Sequence, residues 1–275
     1  MTRRRSRSGR SRYQGGGEES STRKILAGIG LFIVLSLGAG MGIYFVLVKS
    51  ERDQIDTATF CPKDGPLSVT TVLIDRTDGI NAVQGADLRD LLLDTAAAIP
   101  PHGQLRIYEV TASEGLAAPI VSVCNPGSAK DGSFFDENLK RKQQKYEERF
   151  KGPIDDLIRG MKTDAKADSS PIMEAIQEIS VQDFANENAV RKLLVVSDLM
   201  QHTASFSLYK DVPDVEAFRA SAYGRKVEPD LLGVEIELHI LVSSSGKQND
   251  EVGMFWFSWL TEIGANLLGS RTLHG

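Results

Sequence analysis

The sequence predicts a doubly wound α/β domain with a mostly parallel sheet, preceded by one transmembrane helix. Three observations carry that expectation. Short apolar runs rich in β-branched residues alternate with helical patterns after residue 67, as in a parallel sheet covered on both faces. A separate run, Ile25 to Val48, holds 24 residues without a charge. The first apolar run of the folded part, Val69 to Ile74, opens into Asp75-Arg76-Thr77-Asp78-Gly79. That puts carboxylates and a hydroxyl at a strand's carboxyl end, where open α/β sheets hold their ligands.

Each element follows from local chemistry. At about 1.5 Å per residue the uncharged run spans the roughly 30 Å hydrocarbon core as a helix. Arg23 and Lys24 flank it on one side, and Lys49, Glu51 and Arg52 on the other. A cleaved signal peptide has a shorter apolar region and a small-residue cleavage site, so the reading is an uncleaved signal anchor, with a cleaved signal as the alternative. Residues 1–24 carry eight Lys/Arg and two Glu and read as a basic disordered tail. Such a tail orients the anchor with its N-terminus cytoplasmic, leaving the folded part periplasmic or extracellular. The chain's net charge is −5, so residues 25–275 carry about −11, which argues against nucleic acid as a partner of the folded domain.

Residues 49–66 read as a polar connector and 67–275 as the folded domain. Helix is expected over Ala86–Ile99, stopped by Pro100-Pro101-His102-Gly103. Strands follow at Gln104–Val110 and Pro119–Val123. Phe134–Met161 reads as a charged helical region broken near Lys151-Gly152-Pro153. Within it, Lys140 to Arg149 is almost wholly polar, and reads as a solvated surface or as a partner- or membrane-facing one. Pro171–Ile179 is helical with Pro171 in its first turn. Lys192–Val196 and Val234–Val242 are strands, and Val252–Leu268 a final amphipathic helix, whose Phe255, Trp256, Phe257 and Trp259 read as packing on the sheet or, alternatively, as an exposed interaction surface. Two cysteines, Cys61 and Cys124, lie in the part assigned outside the cytoplasm, where a disulfide is expected. The four histidines show no ligand spacing; His239 reads as a strand residue and His202 as a crevice neighbour. There is no nucleophile elbow and no P-loop.

Three polar sites sit at strand ends or helix starts: the Asp75–Gly79 loop, Asp168-Ser169-Ser170, and Ser197-Asp198 after the apolar strand. Taken alone, each also reads as ordinary turn or cap chemistry. Their order resembles the von Willebrand factor A (vWA) domain. That family carries D-x-S-x-S after its first strand, a threonine before a later helix, and an aspartate after the fourth strand. Asp75 and Thr77 match the first two positions, Ser170 stands at the threonine and Asp198 at the late aspartate. The resemblance implies a vWA-type fold and a metal site of Asp75, Thr77, Ser170 and Asp198. The ion would be Mg²⁺ or another divalent cation, with a protein partner at the crevice loops. Gly79 departs from the pattern, for it replaces the second serine and supplies no ligand. Arg76 adds a positive charge beside the loop. The expected function is therefore a membrane-tethered protein-binding module, with the bilayer held through residues 25–48. The alternatives are a structural subunit of a cell-envelope assembly with an empty site, and a metal-dependent phosphoesterase.

Overall fold

The computed structural model describes residues 18–53, 55–57, 59–112, 116–131, 138–160, 167–185, 189–242, 248 and 250–273, with side chains inside the first helix at 25, 26 and 28–44. The chain divides into two units, Met1–Gln54 and Ile55–Gly275.

The first unit is helix α1, Glu18–Asp53. Its backbone is helical across the whole of the expected span at 25–48 and begins seven residues before it. Among the described residues no helix is long and apolar enough to cross a membrane. The side chains at positions 27 and 45–48 of the expected span lie outside the described residues.

The second unit is a six-stranded sheet with helices on both faces. In chain order it contains β1 (Ser68–Ile74), α2 (Ala82–Ala98), β2 (Gln104–Glu109), β3 (Val121–Cys124), α3 (Leu139–Tyr146), α4 (Gly152–Gly160), α5 (Ile172–Asp183), β4 (Val190–Ser197), α6 (Val215–Ala220), α7 (Ala222–Val227), β5 (Glu235–Leu241), α8 (Asp250–Glu262) and β6 (Asn266–Leu273). The strand order is β3-β2-β1-β4-β5-β6, and only β3 runs antiparallel. Strand alternation sorts the core into two layers. Val69, Leu73, Leu193 and Val195 face α5 and α8. Val72, Ile74, Leu194 and Val196 face α2 and α4. Phe255, Trp256 and Trp259 are buried in the first layer, whereas Phe257 of the same helix is exposed.

Helix α2 starts with a capping box: the Asn81 side chain accepts from the Gln84 amide at 3.0 Å, and the Gln84 side chain accepts from the Asn81 amide at 3.1 Å. Three expectations are corrected. The helical region is not broken at Lys151-Gly152-Pro153; a π turn, Glu147–Lys151, carries the chain from α3 into α4 without interruption. The final helix stops at Glu262, because Gly264 takes φ +83 and turns the chain into β6. The stretch before β5 also contains two short helices, α6 and α7, that the sequence reading lacks. Positions 134–137 and 161 of the expected 134–161 helical region lie outside the described residues.

Cys61 and Cys124 form a disulfide with Cα atoms 5.0 Å apart. The bond pins the segment before β1 to the edge strand β3. Cys124 pairs in register with Gln104, the first residue of β2. The disulfide therefore lies at the end of the sheet where the parallel strands begin.

Candidate cation and ligand site

Strand β1 has its parallel neighbours β2 on one side and β4 on the other, reached by crossovers in opposite directions. The chain reverses its direction of winding between β1 and β4. That is the switch point at which the carboxyl ends of parallel strands leave a crevice. The Asp75 amide donates to the Val196 carbonyl at 2.8 Å, so the two loops leave the sheet side by side.

Asp75 sits 3% exposed on the α5 face of the sheet, and its carboxylate organises the crevice. One oxygen accepts the Thr77 amide at 3.0 Å and the Thr77 hydroxyl at 2.7 Å. The other accepts the hydroxyls of Ser170 at 3.0 Å and Ser197 at 2.8 Å. The sequence-predicted residues Asp75, Thr77 and Ser170 are thus brought together by direct bonds. Ser197, from the end of β4, is a further member. Its hydroxyl also accepts the Leu199 amide at 2.8 Å, so it locks the two loops to each other.

Ser170 is placed by a two-way backbone bridge with His202, at 2.7 and 3.0 Å. That bridge draws the start of α5 against the loop after β4. Ser169 turns away and donates to the Ala112 carbonyl at 2.9 Å. His202 bonds Ser207 at 2.9 Å through Nδ1 and meets the Tyr209 ring edge-on. His239 is a buried strand residue whose pKa burial lowers, partly offset by Glu237.

Asp198 is the exposed flank of nothing; it is itself buried. One of its oxygens accepts the Met200 amide at 3.0 Å. The other, Oδ2, has no hydrogen-bond partner among the described residues. Burial raises the Asp198 pKa to about 7; the negative charges of Asp75 and Asp78 push it the same way, and so does the closeness of the Asp78 carboxyl, with which Asp198 shares a proton when protonated. Asp78 in turn accepts the Tyr209 hydroxyl at 3.0 Å, and the Tyr209 pKa is pushed up by burial and by the three aspartates. Leu199, next in the chain, is buried and held at φ +63, a left-handed backbone a leucine adopts only under constraint. The constraint is visible: its amide is held by Ser197, and its carbonyl accepts the Trp256 indole N–H at 2.8 Å. Gln201 adds a further brace. It accepts the Met173 amide at 2.8 Å and donates to Glu174 at 3.0 Å and Tyr223 at 2.8 Å.

The donor set suits a hard cation. Thr77 and Ser170 commit their hydroxyl protons to Asp75, which leaves oxygen lone pairs to face elsewhere. Asp198 adds a carboxylate oxygen whose burial no internal charge offsets. Oxygen ligands of this kind suit Mg²⁺ or Mn²⁺ and not a thiophilic ion. Among the described residues no group of three or more His, Cys, Asp or Glu side chains is placed to hold a metal. The site therefore depends on hydroxyls as well as on Asp198. Arg76 opposes a cation less than its position suggests, because its charge is paired with Glu109 at the end of β2, its Nε at 2.8 Å. Gly79 is fixed by its backbone. It takes φ +79 and closes a turn by donating to the Arg76 carbonyl at 3.0 Å.

No family model and no curated protein matches the sequence. Among solved structures, the SpRpn10 VWA domain is 12% identical, with 75% of this chain and 89% of that one covered, at a TM-score of 0.39. A von Willebrand factor type A protein from Catenulispora acidiphila is 7% identical, with 77% and 39% covered, at 0.44. The conserved hypothetical protein BatB from Bacteroides thetaiotaomicron is 10% identical, with 76% and 90% covered, at 0.37. At those scores the likeness adds nothing to what the strand order and the hydrogen bonds give.

Proposed function

We propose that the chain is a membrane-tethered, vWA-like protein-binding module. Its crevice at the β1–β4 switch point binds a divalent cation through Asp198, Thr77 and Ser170, with Asp75 holding the two hydroxyls in place. When bound, the cation supplies a positive centre with open positions for a carboxylate from a partner protein. The observation that carries this reading is the buried Asp198 Oδ2, without a partner among the described residues and beside Asp75. A buried carboxylate with no internal counter-charge is costly, and a cation removes the cost.

The anchor is residues 25–48, supported by the uncharged run in the sequence and by continuous helical backbone. The basic tail directs the second unit out of the cytoplasm. The Cys61–Cys124 disulfide suits the oxidising side of the membrane. A phosphoesterase with Asp75 as nucleophile is disfavoured, because four hydrogen bonds occupy its two oxygens. The second reading, a structural subunit with an empty crevice, is favoured by one feature, the glycine turn at Gly79 where the resembling family has a ligand.

Titration calorimetry of the detergent-solubilised full chain with Mn²⁺ tests the proposal. Wild type binds one ion and Asp198→Asn, still folded, binds none. No heat from folded wild type favours the structural-subunit reading. Purification from membranes with Mn²⁺ or with a chelator then shows whether a partner is held through the ion.

A further inference from the structure

A cluster of positive charge in the second unit lies on α3, which is tied to the end of the sheet opposite the crevice. Helix α3 holds Lys140, Arg141, Lys142 and Lys145 with no acidic residue and buries none of its side chains. This is unusual on a chain whose residues 25–275 carry about −11. Its position is fixed from both sides. Asn138 caps it by accepting the Arg141 amide at 2.9 Å. Gln143 accepts the Ala129 amide at 3.0 Å, and Lys142 donates to the Asp131 carbonyl at 3.3 Å. The 125–131 turn to which it is tied directly follows Cys124, at the end of the sheet where the parallel strands begin. On its other flank, the Lys145 ammonium lies 5.9 Å from the centre of the Phe60 ring. Lys140, Arg141 and Lys145 are exposed, and among the described residues none of them makes an ion pair.

Phe60 is the link to the anchor. Helix α1 ends at Asp53, and Phe60 follows seven positions later. Even fully extended, that stretch reaches no more than about 25 Å. The disulfide at the next residue, Cys61, prevents the segment from peeling off the sheet. The length of the chain therefore limits how far the Phe60 edge of α3 can be from the end of α1.

We propose that α3 docks on the phosphate headgroups of the leaflet from which α1 emerges. The inference rests on the anchor assigned above and adds its lipid preference. Basic side chains near an anionic surface each gain about fivefold in affinity, and salt screens the gain within a Debye length. Docking by α3 would present the opposite, crevice end of the sheet to a partner and not to lipid.

The test reconstitutes the full chain into nanodiscs of phosphatidylcholine alone, or of phosphatidylcholine with phosphatidylglycerol, and labels lysines with an acylating reagent read by mass spectrometry. In the anionic discs, labelling of Lys140 and Lys145 falls by about threefold or more. Lys210, exposed in the loop after β4, is unchanged. Molar salt restores the labelling, and so does phosphatidylcholine alone. Equal labelling of α3 in both discs overturns the inference while leaving the anchor intact. Release of the chain from membranes by alkaline carbonate overturns the anchor, and the inference with it. In a second arm, the Lys140→Glu, Arg141→Glu variant, altered only at exposed positions, loses the protection of Lys145. Its retention at wild-type level also overturns the inference.

Discussion

Two aspartates of the second unit are buried to nearly the same degree, Asp183 at 6% exposed and Asp198 at 7%. Their surroundings are opposite. Asp183, at the end of α5, accepts the Thr71 hydroxyl at 2.6 Å and the Tyr108 hydroxyl at 2.9 Å, and pairs with Arg106. Every part of its charge is answered inside the fold. The same contact with Asp183, together with burial, pushes the Tyr108 pKa up to about 12. Asp198 has one amide donor, an unpartnered second oxygen among the described residues, and two further carboxylates as neighbours. Burial of a carboxylate therefore does not mark a site. The absence of an internal counter-charge does.

The comparison breaks first at Asp183. Asp183→Ala strands Arg106 and two buried hydroxyls and is expected to cost about 3–5 kcal/mol, the penalty of splitting a buried pair. Urea denaturation measures it. Cation affinity of the protein that remains folded is unchanged, and a loss of affinity matching that of Asp198→Asn would erase the distinction drawn here. Next comes Asp75→Ala. It leaves the Thr77, Ser170 and Ser197 hydroxyls and the Thr77 amide without their acceptor. About 2–4 kcal/mol of stability is lost, and cation binding goes with it. If binding persists, the hydroxyls are not held by Asp75 and the proposed site is wrong.

How much of this was legible differs between the two aspartates' neighbourhoods. β1 and β4 announce themselves as apolar runs because both their faces are covered, and a polar residue ending such a run stands out. Asp75 with Thr77 and Asp198 are found that way, Ser170 by the polar loop that opens a helix, and the resemblance is what joins the four into one set. Ser197 also stands out, in the Ser197-Asp198 pair that ends the apolar run, but its bond to Asp75 across 122 residues appears only in the fold. Tyr209 and Gln201 come from an irregular loop and act only through tertiary contacts. Strand β6 was missed for a different reason. As an edge strand it leaves most side chains exposed, so Asn266 to Leu273 shows no two-residue alternation, and the helical period of α8 runs on into it. The π turn at Glu147–Lys151 has no composition of its own. Asp183 carries no local signal, because Arg106 and Tyr108 reach it only through the sheet.

A smaller effect sharpens the contrast through pH. The folded state raises the Asp198 pKa from 3.8 to about 7. Between those values the folded protein holds a proton that the unfolded chain has released. Metal-free stability therefore falls as pH rises through that window, and is constant above it as far as this group decides. Asp198→Asn keeps the amide contact through its Oδ1 and removes the charge. At pH 8 without metal it is expected to be more stable than wild type by about 1–3 kcal/mol, with the two converging near pH 4. Thermal melts in chelator across pH 4–8 decide the matter. Divalent cation added at pH 8 should stabilise wild type and leave Asp198→Asn unmoved. A variant less stable than wild type at pH 8 would mean that Asp198 is answered internally, as Asp183 is.

The smallest effect concerns Gly79. Restoring the resembling family's serine there looks like a way to complete the metal site. The backbone argues otherwise, because φ +79 strains any L side chain and the turn is closed by the Gly79 amide. Gly79→Ser is expected to cost about 1 kcal/mol and to leave Mn²⁺ affinity within about twofold of wild type. A marked gain in affinity without loss of stability would show that the loop relaxes into a fuller site, and that the turn is a removable departure. The expected result, a small loss on both counts, instead makes the turn part of the design. Asp198 and two hydroxyls then set the affinity, and open positions on the ion are left for the partner.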